Sequence, residues 1–103
     1  MKLRPGTSLV STTDETTVIV VRWDDADLEV ACGGAPMVDA RGPEKDTKNA
    51  ADPAQQDGTQ LGKRYTTEDG GVELLCTKAG QGTLSVDGTP LGLKSAKPLP
   101  ASD

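Results

Sequence analysis

Apolar and polar residues alternate in two separate parts of the chain, and each part contains two short runs of this pattern. Successive side chains of a β-strand point to opposite faces, so residues two apart share one face. Each part therefore predicts a hairpin of β-branched and aliphatic residues, closed by Asp- or Gly-rich turns at 24–27 and 78–82. The alternating apolar positions are Val18, Val20, Val30 and Cys32 in the first part, and Val72, Leu74, Leu84 and Val86 in the second.

The second part repeats the first. At an offset of 54, residues 11–18 fall on 65–72 and residues 34–37 fall on 88–91, without a gap from Ser11 to Met37. Upstream, residues 6–9 match 58–61 at an offset of 52. The sequence therefore predicts an internal duplication. It also predicts that the positions apolar in both copies face the core, whereas Ile19, which aligns with Glu73, lies on a solvated face.

The two copies are predicted to form one all-β fold. Because an isolated hairpin is not stable in water, each copy should cover the apolar face of the other in a pseudo-two-fold arrangement. The predicted boundaries are 5–38 for the first repeat, 39–57 for a flexible linker, 58–94 for the second repeat and 95–103 for a Pro-containing tail. A helix over 45–56 stays an alternative, although Pro53 interrupts it.

The framework of both copies resembles the desulforedoxin domain, which combines a glycine, a tyrosine, a Cys-x-x-Cys knuckle, a Val-rich strand, a Gly-x-Gly turn and a final Cys-Cys-Gly-x-Pro-Met. The resemblance implies two such modules in one chain, paired like the homodimer of the family's small members. The residues that carry it are Gly62, Tyr65, Val72, Gly80-Gln81-Gly82, Leu84 and Gly88-Thr89-Pro90-Leu91 in the second copy, and Cys32-Gly33-Gly34-Ala35-Pro36-Met37 in the first.

The metal ligands of that family are almost entirely replaced. Among the eight positions that the resemblance assigns to ligands, Cys32 alone carries sulfur. A tetrahedral thiolate site for iron or zinc needs four soft ligands at about 2.3 Å, so the metal centre is expected to be absent. The related superoxide-reducing iron site needs several histidines, and the chain has 0 His. The eight positions are Thr67, Gly70, Val86 and Asp87 in the second copy, and Thr13, Thr16, Cys32 and Gly33 in the first.

Composition excludes several classes of function. A net charge of -5 and a pI near 4.6 oppose binding to phosphates, so nucleic acid is not an expected partner. The absence of His removes Ser-His and Cys-His catalysis, and no catalytic constellation can be named, so the protein is not expected to be an enzyme. No run of about 18 apolar residues and no signal-peptide core occur, which predicts a cytoplasmic protein without membrane association.

Three residues are candidates for function. Cys32 keeps strand phase with Val30, so a buried structural thiol is expected. Cys76 aligns with Arg22, which favours a surface position where the thiol could face a partner. Trp23 is either an exposed binding anchor or a source of core bulk, and the sequence does not separate the two. The recurring acidic pairs, Asp14-Glu15 among them, are expected to be solvated turn formers.

Two hypotheses for function follow. The first is a non-catalytic, metal-free accessory subunit or small binding module for a larger enzyme or complex. The alternative is a small zinc or iron thiolate protein, or a thiol redox protein, that uses Cys32 and Cys76. In that case the two cysteines could also act across a homodimer, and the oligomeric state stays open.

Overall fold

The computed structural model describes residues 3–23, 28–68 and 70–93, and within these ranges the chain is all-β. Ten short strands form, and the described residues contain no helix. The prediction of an all-β fold is confirmed. The strands are β1 Ser8–Val10, β2 Thr17–Arg22, β3 Val30–Cys32, β4 Ala35–Pro36, β5 Val38–Asp39, β6 Arg64–Thr66, β7 Glu73–Lys78, β8 Leu84–Val86, β9 Thr89–Pro90 and β10 Gly92–Leu93.

The strands form two antiparallel sheets, each with strands from both halves of the chain. The six-stranded sheet has the order β10-β6-β7-β2-β1-β5, and the four-stranded sheet has the order β4-β3-β8-β9. The halves meet at β2–β7 in the larger sheet and at β3–β8 in the smaller one. The predicted hairpins closed by the turns at 24–27 and 78–82 do not form, because β2 and β3, like β7 and β8, lie in different sheets. Instead β2 pairs with β7 and β3 pairs with β8, so neither half builds its sheets alone.

The hairpin β1–β2 of the first half and the hairpin β6–β7 of the second half have the same backbone pairing, with equivalent residues 56 positions apart. Leu9 pairs with Val18, and Tyr65 pairs with Leu74 in the same way. The alignments of 11–22 at 54 and of 6–9 at 52 are therefore wrong for these hairpins. Further bonds repeat at this spacing: Gly6 to Val20 and Gly62 to Cys76, Thr7 to Arg4 and Lys63 to Gln60, Ser11 to Thr16 and Thr67 to Val72.

From β3 onwards the offset is 54. The N–H of Met37 donates to the carbonyl of Val30, and Leu91 donates to Leu84 in the same way. The two residues are absorbed between β2 and β3, because the segment that joins these strands is two residues longer than the one that joins β7 to β8. An insertion in a connecting segment costs little free energy, whereas two extra residues within a strand would shift its pairing register against the neighbouring strands.

The pairing between halves is reciprocal. Ile19 pairs with Leu75, the residue that occupies the equivalent position in the second half at the offset of 56. Ala31 pairs with Ser85, its counterpart at 54. The flanking pairs exchange accordingly: Val18 with Cys76 and Val20 with Leu74, Val30 with Val86 and Cys32 with Leu84.

A thin aliphatic core lies between the sheets. The predicted inward positions are confirmed, and Trp23, Leu28, Leu3 and Leu91 pack against the core while partly buried. Tyr65 adds aromatic bulk, and its hydroxyl accepts the N–H of Gln60 at 2.8 Å. The buried core residues are Leu9, Val18, Val20, Val30, Cys32, Met37, Tyr65, Val72, Leu74, Cys76, Leu84 and Val86.

Glu73 does not lie on a solvated face as predicted. Glu73 is only 5% exposed, and its carboxylate lies 3.3 Å from the guanidinium of Arg64. At the offset of 56 its counterpart is Thr17 and not Ile19, so the comparison on which the prediction rested used the wrong register. The neighbouring strand β6 supplies the cation that permits this burial.

The segment from 40 to 57 contains no helix or strand, so the alternative of a helix over 45–56 is wrong. It is attached to both halves of the chain. The N–H of Asn49 donates to the carbonyl of Thr12, and the N–H of Asp52 donates to that of Gly33. Further along, the N–H of Asp57 donates to the hydroxyl of Thr83. These bonds set a path for the connection along the first half towards β8.

Several predicted features lie outside the described residues. These are the acidic turn at 24–27, Asp69 and the tail from 94 onwards. Within the described part of the chain, no helix has the length and apolar character that crossing a membrane would require.

Candidate functional site

A tight loop at 11–16 in the first half is organised by the hydroxyl of Ser11. Ser11 Oγ accepts the N–H groups of Thr13 at 3.1 Å and Asp14 at 3.3 Å. A backbone hydrogen bond from the N–H of Ser11 to the carbonyl of Thr16 closes the loop. A serine hydroxyl that accepts bonds from the next residues replaces a backbone acceptor and stabilises a turn.

Asp14 joins this loop to the other half of the chain. Its Oδ1 accepts the N–H of Thr16 at 2.9 Å, and its Oδ2 accepts those of Gln81 and Gly82 at 2.8 Å each. Partial burial opposes ionisation, but these hydrogen bonds outweigh it and hold the pKa of Asp14 below its ordinary value. Asp14 is therefore a turn former, as predicted, and also a cross-link between the halves.

The thiol of Cys32 lies fully buried beside this loop, as the sequence predicts. Burial raises its pKa, with neighbouring Asp14 and Cys76 adding to that rise and the hydroxyls of Ser11 and Thr16 opposing it. Within the described part of the chain, the hydroxyl of Thr16 is buried without a hydrogen bond of acceptable geometry. The cluster of Ser11, Asp14, Thr16 and Cys32 is called the first-half cluster below.

Two glycines of the second half close the first-half cluster. A Cβ at Gly80 would collide with Thr16 Oγ1 and lie 2.8 Å from Asp14 Oδ2. A Cβ at Gly82 would lie 2.7 Å from Cys32 Sγ and 2.8 Å from the backbone nitrogen of Gly33. Because these contacts leave no room for a side chain, the Gly80–Gly82 turn packs directly on the cluster.

The corrected register moves two of the expected ligand positions. At the offset of 56, Thr67 corresponds to Ser11 and Gly70 to Asp14. The resemblance had assigned Thr13 and Thr16 instead. Ser11 and Asp14 keep the x-x spacing of the knuckle, and Cys32 lies beside both. Thr13 lies at the edge, where its hydroxyl donates to the carbonyl of Cys32 at 3.3 Å.

The donor atoms of the first-half cluster do not fit a thiolate metal centre. Cys32 supplies the single sulfur, Asp14 is engaged by three backbone N–H groups, and the others are hydroxyls. Iron and zinc in such centres need four soft or borderline ligands. In the described ranges, no group of three His, Cys, Asp or Glu side chains is arranged to hold a metal ion.

The corresponding place in the second half is an open pocket of about 340 Å³. Three of the residues that the resemblance assigned to ligands meet here: Thr67, Val86 and Asp87. The other lining residues are Leu28, Glu68, Gly71, Val72 and Thr89. This space is called the second-half pocket below.

Substitutions between the halves change the chemistry of this place within the described residues. Asp14, which fills the first-half cluster, is replaced by Gly70, whose Cβ would have nothing within 4 Å. The hydroxyl of Thr16 and the thiol of Cys32 in the first half are replaced by the hydrocarbon side chains of Val72 and Val86 in the second. The pocket therefore has an apolar floor where the cluster has hydrogen-bonding groups.

A second cavity of about 390 Å³ adjoins the pocket along β9 and β10. The two share Thr67, Glu68 and Thr89 as lining residues. The second cavity continues past Pro90 to Leu93, which is 51% exposed. The two adjoining cavities are called the second-half groove below, and they lie beside β9 and β10, which are edge strands of the two sheets.

Cys76 is not at a surface. The residue is 1% exposed, and its Sγ donates to the carbonyl of Lys78 at 3.2 Å. Burial raises the pKa of this thiol as well. The prediction failed because, at the offset of 56, Cys76 corresponds to the core residue Val20 and not to Arg22. Trp23 is partly buried against the core, between the two alternatives that the sequence left open.

Comparison with protein-family models, with curated proteins and with solved structures gives no match for this chain.

Both thiols are expected to react slowly with Ellman's reagent in the native protein. A buried thiol with a raised pKa reacts only after local or global opening, so the native rate should be at least ~100-fold below that of free cysteine. Cys32→Ser and Cys76→Ser should each lower the free energy of unfolding by about 1–2 kcal/mol, because each buries a new hydroxyl. Rapid labelling of either thiol without denaturant would contradict this burial.

Proposed function

We propose that the chain is an internally duplicated, desulforedoxin-like pair of modules that functions as a metal-free, non-catalytic accessory subunit in the cytoplasm. In this proposal the protein acts by binding a larger enzyme or complex. The duplicated origin is supported by backbone hydrogen bonds that recur at a constant offset within each hairpin, and by the reciprocal pairing of Ile19 with Leu75 and Ala31 with Ser85.

The observation that carries the proposal is the difference between the two equivalent places. In the first half, Asp14 and the Gly80–Gly82 turn close the cluster with hydrogen bonds inside the chain. In the second half, the described residues leave the same place as an open pocket with Val72 and Val86 in its lining, and a second cavity adjoins it. A concave apolar surface bordered by polar groups is typical of a binding site.

The chemistry of the first-half cluster supports structural rather than catalytic use. Asp14 is held ionised by bonds that join the halves, and both thiols are buried with raised pKa values. A nucleophile needs an accessible thiolate, and burial favours the neutral thiol. The groups that could act on a substrate are thus committed to holding the fold together.

The proposal is tested by isolating the protein from the cells that naturally express it and identifying what remains bound by mass spectrometry. Thr89→Trp places a large side chain in the second-half groove, and we expect it to lose a partner that wild-type protein retains. Thr47→Trp is the matched control, because Thr47 is exposed in the connecting segment. A partner retained equally by both variants, or none retained by wild type, would contradict the proposal.

One observation favours the alternative of a thiol or metal protein. Cys32 and Cys76 belong to the same core, and they are close enough for a charge on Cys76 to raise the pKa of Cys32. Elemental analysis of protein purified without an affinity tag or chelator separates the proposals. We expect no stoichiometric iron or zinc. A stoichiometric metal that disappears in Cys32→Ser or Cys76→Ser would replace the accessory-subunit proposal with the metal-thiolate one.

A further inference from the structure

We infer that the second-half groove binds an extended segment of a partner protein that carries two apolar side chains at positions i and i+2, next to lysine or arginine. The inference rests on the proposed function and specifies the class of partner. It is carried by the shape of the groove, its apolar floor and the sign of the charges at its rim.

The shape of the groove suits two side chains rather than one. The second-half pocket of about 340 Å³ and the adjoining cavity of about 390 Å³ share three lining residues, so they open side by side. Alternate side chains of an extended strand lie about 6.5–7 Å apart on the same face. In the proposed complex, residues i and i+2 of the extended segment occupy these two cavities.

The floor of the groove selects apolar side chains. Val72 and Val86 form the bottom of the pocket, and Leu28 contributes one wall. In the adjoining cavity, Pro90, Leu91 and Leu93 line the surface. Leucine, isoleucine, methionine or an aromatic residue would bury its side chain here, and each such burial is worth about 1.5–3 kcal/mol before the costs of association.

The rim of the groove selects cations. Glu68 lies at the mouth of both cavities and is exposed, and Asp87 lies at the edge of the pocket. Among the described residues, those that line the two cavities include no lysine or arginine. The chain as a whole has a net charge of -5, so the long-range field also favours a basic segment.

The experiment measures binding of short capped peptides to the isotope-labelled full chain by NMR. The first probe has the sequence Lys-Leu-Lys-Leu-Lys, the second replaces its lysines with glutamates, and the third replaces its leucines with serines. We expect the first peptide to shift the amides of residues 70–72 and 86–93, with Kd on the order of 1 mM. The other two should bind at least tenfold more weakly.

Two variants make the test specific. Glu68→Lys should weaken the lysine–leucine peptide about fivefold or more and improve the glutamate–leucine peptide, because the rim charge changes sign. Glu44→Lys makes the same change of charge in an exposed turn away from the groove and should leave both affinities unchanged. Equal binding of the lysine and glutamate peptides, or shifts that lie elsewhere on the chain, would overturn the inference, as would no binding at all.

The natural partner separates this inference from the function on which it rests. If Thr89→Trp loses the partner while Glu68→Lys retains it at wild-type affinity, the accessory-subunit proposal stands and the basic–apolar specificity is wrong. If Thr89→Trp retains the partner, the groove is not the binding site and the proposed function fails first.

Discussion

Replacing Gly82 with alanine is expected to lower the free energy of unfolding by about 3 kcal/mol, the upper end for overpacking a tight site. The new Cβ would lie 2.7 Å from Cys32 Sγ and 2.8 Å from the nitrogen of Gly33. Because Gly33 contributes backbone, a side-chain rotation cannot relieve the contact, and the second half would have to move away from the first.

Equilibrium unfolding in urea measures this change. Gly92→Ala is the matched control, because no atom lies within 4 Å of a Cβ at Gly92 and its φ lies outside the left-handed region. We expect the control to stay within about 0.5 kcal/mol of wild type. A Gly82→Ala protein as stable as Gly92→Ala would show that the turn does not pack on Cys32 and Gly33 as the structure has it.

Replacing Asp14 with alanine is expected to lower the free energy of unfolding by about 2–3 kcal/mol at pH 7. The substitution leaves the N–H groups of Thr16, Gln81 and Gly82 without their acceptor. Hydrogen bonds to a charged group contribute more than neutral ones, and unpaired donors add a cost of desolvation. Asp46→Ala removes an exposed carboxylate from the connecting segment and should have little effect.

The same variant should change how stability depends on pH. The pKa of Asp14 is lower in the folded state than its ordinary value of 3.8, so the unfolded chain binds the proton more tightly. The stabilisation from Asp14 is therefore complete above that ordinary value and is lost as pH falls through the lower folded pKa. Urea midpoints between pH 7 and pH 2 should fall less steeply for Asp14→Ala than for wild type. Parallel curves would contradict the role of the carboxylate.

The fold class could be predicted from the sequence because strand alternation is a local property. Val18 and Val20, like Leu84 and Val86, face the core as their spacing of two residues requires. The expectation that each hairpin needs the other half also follows from chain physics, since a lone hairpin cannot bury its apolar face. Both statements depend on neighbouring residues alone, which the sequence displays directly.

The register between the copies could not be obtained from the sequence. Short stretches rich in Thr, Gly and Val match one another at several offsets. Thr66-Thr67 is identical to Thr12-Thr13, whereas its counterpart in the structure, Val10-Ser11, shares no residue with it. The hydrogen bonds between strands select 56. An error of two residues preserved strand phase, so the core predictions survived while Cys76, Glu73 and the ligand positions were misplaced.

The sequence by itself determined that the described part of this protein forms strands without helices around an aliphatic core, and that the chain has no histidine chemistry, because periodicity and composition need no knowledge of distant contacts. Only the tertiary structure decided that Asp14 bonds to a turn 67 residues away, that Gly80 and Gly82 must lack side chains, and that the second half keeps an open groove. The physical reason is that a pocket forms where packing leaves space between segments, and which segments meet is set by pairing across the whole chain.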